Sequence, residues 1–356
     1  NKGWRVDAAA YGVTRAPRCI DSFDRCYDIE WTRKVTQVRG LQVSFKKIQR
    51  LVVENNYDIV HVHTPIAAFV TRYALRTLRK RDNIKVIYTV HGFHFYRGGK
   101  PAKNTVFRTL EQVAGRWTDY LVVINREDEQ AAMRYGIVPP ARLVYMPGIG
   151  VDTERLDPAL VSADTVAEVR NELGLQEDDI LFLMVAEFNP GKRHRDLLQA
   201  MALLREPKVH IAFAGTGVQQ KAMEDLAATL GLSGRTHFLN FRTDIPVLMR
   251  AAVACVLPSE REGLPRSVME SLSLETPVVG ANTRGIRDLL ASGSGLLTPV
   301  GDIEQLAVAL TWMVRHSEER IAMGKLGRRQ MQEYDVRHIT ALHERLYIEA
   351  LQSHGE

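Results

Sequence analysis

The chain of 356 residues lacks most of the signatures that would place a protein quickly. It holds three cysteines, Cys19, Cys26 and Cys255, an odd number without metal-ligand spacing. That disfavours a disulfide framework and fits a reducing compartment. Cys255 falls in an apolar run and reads as a core residue. No apolar run approaches the roughly 20 residues that cross a bilayer. A Gly-X-Ser-X-Gly elbow and a glycine-rich loop ending in Lys-Ser or Lys-Thr are both missing. So are internal repeats, low-complexity segments and any nucleic-acid-binding module. The chain opens on Asn1-Lys2-Gly3-Trp4 rather than on Met. The expectation is a start inside a longer protein, with an upstream targeting segment left open.

What is present is ordinary in bulk and uneven in charge. The chain is 45% hydrophobic and 25% charged, the profile of a soluble globular protein with room for two domains. The net charge of +5 hides an asymmetry: residues 1–150 carry +12 and the remainder −7. A basic half suits an anionic lipid surface, a diphosphate or nucleic acid, the last disfavoured by the missing module. Lys46, Lys47, Arg50, Arg72, Arg76, Arg79 and Lys80 are the cations expected to form such a face.

Apolar runs alternate with helical spacing throughout, which implies α/β architecture with largely parallel sheets. In the first half, strands are expected near 4–10, 58–63, 84–90, 120–124 and 142–145. A polar irregular stretch is expected to about Lys34. A helix over 41–55 places Leu41, Phe45, Ile48 and Leu51 on one side. Pro147-Gly148-Ile149-Gly150 marks a break, so domains are expected at 1–150 and 151–335. A C-terminal helix, 336–356, is expected to pack back toward the first. The second half has expected strands at 180–186, 209–214, 236–240, 252–257 and 277–280, with residues 302–350 mostly helical.

The stretch Ser259 to Glu270 organises the second half. Pro258 ends an apolar strand, Gly263 and Pro265 break regular structure, and helical spacing resumes from Ser267. Glu262 therefore sits in a strand-to-helix loop and Glu270 on the helix that follows. Loops at the carboxyl ends of parallel strands are where open α/β sheets bind ligands. Free N–H groups at a helix start suit an anion. Most glutamates are merely solvated, and a glycosidase pair is a further option. Lys192 and Arg193 follow the strand 180–186 and suit phosphate, one as a point charge and one as a fork. A solvated basic loop is the bland alternative. His91 ends the strand at Val90 and is expected to project into a cleft. His63 ends another strand, but no third ligand gives metal spacing. Gly215-Thr216-Gly217 starts like a dinucleotide fingerprint that fails at Gln220; a tight turn with close backbone approach is the better reading.

Together these residues resemble the family 4 glycosyltransferases, retaining enzymes of the GT-B fold. The motif Pro-Ser-x-x-Glu-Gly-Leu-Pro (258–265), with seven residues between Glu262 and Glu270, carries the resemblance. So do Val278-Val279 with Gly285-Ile286, and Gly295-Leu296-Leu297. Asp58-Ile59-Val60-His61-Val62-His63-Thr64-Pro65 and His91-Gly92-Phe93-His94-Phe95-Tyr96 are similar to the capsule and exopolysaccharide subgroup.

The resemblance implies two Rossmann-like domains facing each other across a cleft. It implies transfer of a sugar from a nucleotide donor, UDP-linked by expectation, to a glycan or polyprenyl-diphosphate-linked acceptor. No cofactor or metal is implied, and no nucleic acid. Glu270 would hold the ribose, and Glu262 with Gly263 and Leu264 the sugar and diphosphate. Lys192, helped by Arg193, would neutralise the leaving diphosphate. His91 would sit at the sugar, Phe241 and Arg242 at the base, and Gly215 close to the ligand. A cytoplasmic enzyme, peripheral on the inner membrane face, would follow. Two departures stand out. Glu187 replaces the family's usual Arg. Residues 4–10 resemble its second strand, so the first strand and its glycine-rich loop are expected to be absent. A nucleotide-sugar-binding protein without catalysis, and a GT-B epimerase or phosphorylase, are the alternatives.

Overall fold

The structure, a computed structural model, describes residues 3–30, 38–96 and 98–353, with side chains 38–41 left out. The irregular stretch expected to Lys34 falls partly outside these residues, and the Leu41 side chain wholly so. Two compact units emerge. The first contains residues 1–123, 129–145 and 344–356; the second contains 124–128 and 146–343.

Unit 1 holds two parallel sheets. Strands β1 (Asp7–Ala10) and β2 (Arg25–Asp28) pair with each other. Strands β3 (Ile59–Val62), β4 (Lys85–Val90), β5 (Tyr120–Val123) and β6 (Leu143–Tyr145) form the other, in that order. Every residue of β4 and β5 is buried, as expected of parallel strands covered on both faces. Helices Pro65–Leu75 and Pro101–Gly115 each begin on proline, whose missing N–H is not needed there. The helix Val38–Asn55 shows the expected spacing, with Ile48 and Val52 buried.

Unit 2 holds one six-stranded parallel sheet. Its strands are β7 (Ile180–Val185), β8 (Val209–Ala214), β9 (Thr236–Phe238), β10 (Ala254–Leu257), β11 (Val278–Ala281) and β12 (Gly295–Thr298). The spatial order is β12-β11-β10-β7-β8-β9. The chain winds outward from β7 to β9, returns to lay β10 beside β7, then winds the other way. The strand order therefore reverses between β7 and β10, where Ala254 pairs with Phe182 and Cys255 with Leu183.

Two strands escaped the sequence reading. Strand β2 (Arg-Cys-Tyr-Asp) has no apolar alternation, and β12 is an edge strand with Leu297 exposed.

One charge assignment is corrected. Arg72 lies on no surface: it is fully buried, and its Nη2 donates to Glu111 Oε2 at 2.8 Å. Its guanidinium lies 4.1 Å from the Tyr88 ring centroid. Helical spacing exposes an arginine by default and cannot reveal a carboxylate 39 residues away. Arg79 is likewise held by Asp119, Arg50 by Glu54, and Lys47 by the Asp28 carbonyl.

The buried Arg72–Glu111 pair yields a test. Glu111→Ala strands a buried cation, and loss of about 3–5 kcal/mol is expected from urea unfolding. The double variant Arg72→Met/Glu111→Leu should recover most of that loss. A Glu111→Ala chain as stable as the parent would contradict the assignment.

Candidate active site

The site is built where the strand order of unit 2 reverses, a place where α/β sheets open a crevice beyond their carboxyl ends. Strand β7 runs into the loop 186–193, and β10 into the loop 258–265. Since β7 and β10 are neighbours, the loops are too. The Glu260 N–H donates to the Gly191 carbonyl at 2.8 Å, and Lys192 Nζ lies 2.6 Å from Glu262 Oε1. The sequence reading named Lys192 and Glu262 separately; the fold joins them across 70 residues. Both side chains are largely shielded, with 26% and 11% exposure, so the pair is not a simple surface contact.

The loop after β10 is held in shape by glycines elsewhere. A Cβ on Gly285 would overlap the Gly263 carbonyl oxygen, and one on Gly148 would strike the Leu264 side chain. Gly263 and Leu264 thus rest directly on the start of the helix Arg284–Leu290. The loop leads into the helix Arg266–Ser273, with Pro265 at its cap. Glu270, on that helix, accepts from Arg266 Nε at 2.8 Å. Arg266 is 65% exposed, so this contact is a weak i,i+4 surface pair.

Glycines also pack the loops after β7 and β8 backbone to backbone. Gly215 has φ of +149° and approaches the Ala186 carbonyl too closely for any side chain. Its N–H donates to the Asn240 carbonyl at 2.7 Å, tying in the loop after β9. The tight turn is therefore present. Phe241, next along, is 77% exposed. Arg242 is committed to Glu172 and Asp244, at 2.6 Å from each. Arg193 adopts a left-handed conformation (φ 57°) and pairs with Asp196 at 2.6 Å. Glu187, where the family's arginine stands, is exposed and accepts from Asn189 Nδ2 at 3.0 Å.

Two residues without an assigned role belong to these loops. The Ser259 hydroxyl is fully buried with no hydrogen-bond partner among the described residues. Only its place in the Pro-Ser motif could have flagged it. His194 is buried, stacks on Phe188 at 4.2 Å between centroids, and leaves both ring nitrogens unpartnered among the described residues. Burial, then the nearby Lys192 charge, lowers its pKa to about 4. It is a neutral ring at neutral pH.

In unit 1, His91 follows β4 and its Nε2 lies 3.2 Å from His63 Nδ1, beyond β3. The residue is solvent-exposed overall, and partial desolvation of the ring lowers its pKa. His61 contacts Thr89 Oγ1 at 2.7 Å and Tyr347 Oη at 2.6 Å, and its ring lies tilted against His63 with centroids 4.3 Å apart. Three imidazoles thus line the carboxyl edge of β3 and β4. Among the described residues no helix is long and apolar enough to cross a membrane.

A parallel sheet that reverses beside a cation–carboxylate pair defines the ligand-binding class of open α/β folds, and comparison with known proteins says which family this one is. Residues 3–155 match the family described as "Glycosyltransferase Family 4" and residues 165–330 "Glycosyl transferases group 1". The chain is 35% identical to the provisionally named glycosyltransferase EpsD of Bacillus subtilis (strain 168), over 92% of this chain and 84% of that one. It is 28% identical to the Escherichia coli UDP-Gal:alpha-D-GlcNAc-diphosphoundecaprenol alpha-1,3-galactosyltransferase, over 81% of this chain and 73% of that one. The fold matches Anabaena HepE, solved in complex with UDP, with a TM-score of 0.78 and 19% identity, covering 97% and 100% of the two chains. The chain belongs to the family 4 glycosyltransferases, and its fold is GT-B.

Two outcomes test this geometry. The His194 pKa is depressed in the folded state, so the unfolded chain binds its proton first as pH falls. Stability should drop between about pH 6.5 and 4, by roughly 3 kcal/mol at most. Melting temperatures of His194→Phe should fall less steeply over that window than those of the parent; parallel curves would refute the burial argument. Gly285→Ala should displace the Gly263–Leu264 loop and cost about 1–3 kcal/mol, read by urea unfolding.

Proposed function

We propose that the enzyme transfers a sugar, with retention of configuration, from a UDP-sugar to a lipid-linked glycan acceptor in exopolysaccharide assembly. The observation that carries this reading is the Lys192–Glu262 contact at the reversal point of the unit 2 sheet. Support comes also from the names of relatives. The E. coli relative is named for a UDP-Gal donor and a diphosphoundecaprenol-linked acceptor. The B. subtilis relative and the wording around His63 and His91 suggest exopolysaccharide.

Breaking the sugar–phosphate bond leaves negative charge on the departing diphosphate and an oxocarbenium-like sugar. Lys192 meets the first charge, together with the backbone N–H groups of Gly263 and Leu264. Fixed groups of this kind need no reorganisation as charge develops. Glu262, once Lys192 turns to phosphate, is free to accept hydroxyls of the donor sugar. Glu270 releases the exposed Arg266 and accepts the ribose hydroxyls. Phe241 offers an exposed ring for the base. His91, whose pKa is lowered by desolvation of its ring, can donate or accept at the sugar as a neutral imidazole. Arg193 and Arg242 act through the carboxylates they hold, unless a donor displaces these.

A panel of UDP-sugars should contain one that raises the melting temperature, since a ligand of the native state stabilises it. Glu270→Ala should reduce that shift, and an undiminished shift removes the ribose role. Lys192→Ala should lower kcat about 10²–10³-fold with a much smaller change in donor affinity. A weakened donor affinity with kcat unchanged would mean that Lys192 binds ground state and transition state alike. The anomeric configuration of the product, read by NMR, tests retention.

A further inference from the structure

A cavity of about 460 Å³ opens in unit 1 between the helices Val38–Asn55, Pro65–Leu75 and Pro101–Gly115. That is within the range of about 300–1,000 Å³ typical of small-molecule sites. Its wall is apolar and largely aromatic: Phe45, Ile66, Phe69, Tyr73, Phe107 and Leu110. Among its described lining residues Glu111 is the single carboxylate, and that charge is already bound to Arg72. Val43 and Val106, on two of the three helices, are 65% and 57% exposed, and Leu110 on the wall is 39% exposed. An open apolar groove whose lining residues Gln42 and Phe107 adjoin exposed valines in sequence marks a binding surface.

The rim supplies charge of one sign. Arg76 lies over the Tyr73 ring at 4.0 Å, and Lys103 over Phe107 at 5.8 Å. Lys46 is exposed one turn after Gln42, which also lines the groove. An apolar channel rimmed by cations, with its own acid neutralised, complements an amphiphile with a hydrocarbon chain and an anionic head.

We infer that this groove holds the isoprenoid chain of a lipid-diphosphate acceptor, with the anionic head group at the rim cations. The inference rests on the lipid-linked acceptor of the proposed function and adds where the lipid is held. Of the basic half's cations, Lys46, Arg76 and Lys103 lie beside this apolar floor.

Trp117 provides a reporter, since its ring lies 5.4 Å from Tyr73 and 6.2 Å from Phe69, both on the wall. In the full chain with Trp4→Phe, Trp31→Phe and Trp312→Phe, titration with farnesyl diphosphate should shift Trp117 emission saturably. Farnesol should compete, and inorganic diphosphate should not. Leu110→Asn, at a half-exposed position that folding tolerates, should raise the apparent Kd about tenfold, the equivalent of about 1.4 kcal/mol. Arg76→Glu should raise it too and flatten its salt dependence. Several results would overturn the inference: displacement by inorganic diphosphate alone, an unchanged Kd in Leu110→Asn, or a sedimenting dimer that Leu110→Asn splits. The last would make a second copy the occupant. The UDP-sugar melting shift, measured on the same variants, keeps the two readings apart. Farnesyl binding without it leaves the groove standing and the donor proposal fallen, and the converse outcome does the reverse.

Discussion

The reversal of strand order between β7 and β10 is the constraint on which the rest of unit 2 depends. In a parallel sheet every strand delivers its loop to the same edge, and crossover helices cover the faces. Where winding changes direction, neighbouring loops lead to helices on opposite faces, and a crevice is left between them. The loops that meet here carry Lys192 and Glu262, and a backbone bond from Glu260 to Gly191 fixes their spacing. Gly215 and Gly285 serve the same end, since each permits a backbone approach that a methyl group would forbid. The site is therefore a property of topology first and of side chains second.

That ordering explains which parts were legible in the sequence. Glu262, Glu270 and Lys192 stood out because each follows a strong apolar strand, and a strand end in an α/β chain is a position in space. The contact between Lys192 and Glu262 was not legible, because no local pattern says that β10 returns beside β7. Strands β4, β5, β7 and β8 announced themselves by buried apolar runs. Strand β2 did not: Arg25 and Asp28 flank only two less polar residues, and four residues give periodicity no room. Arg72 misled for a related reason. Its helix, Pro65–Leu75, is apolar on more than one side, and the partner that permits burial lies on another helix. Ser259 and His194 carry no pattern at all; only burial without a partner distinguishes them.

The charge of the first half shows the limits of net counts. Of seven cations read as one basic face, Arg72 is interior, and Arg79, Arg50 and Lys47 are occupied by other groups of unit 1. Among the described residues Lys46, Arg76 and Lys80 remain without a carboxylate, although Arg76 donates to the Tyr73 carbonyl, and Lys103 joins them on a helix that charge counting had not singled out. An anionic ligand of the kind proposed would meet these few cations, in positions set by helix packing. A sum over sequence weighs an arginine stacked on Tyr88 as heavily as one at the rim, although the first has already spent its charge on Glu111.

The β7 loop shows the same economy on a smaller scale. Lys192, Arg193 and His194 are consecutive, and three positive charges so close would repel one another. Each is handled differently. Arg193 turns left-handed and is neutralised by Asp196 within one helical turn. His194 is pressed against Phe188, where burial and the neighbouring lysine keep its ring uncharged. Lys192 alone keeps a transferable charge, parked on Glu262. In the proposed reaction a diphosphate would displace the glutamate, because the incoming group brings more negative charge and several oxygens to one point. On that reading the loop is near balance with Lys192 on Glu262 and gains attraction only when Lys192 changes partner. A triple cation would instead bind any anion and hold the product as tightly as the transition state, which accelerates nothing.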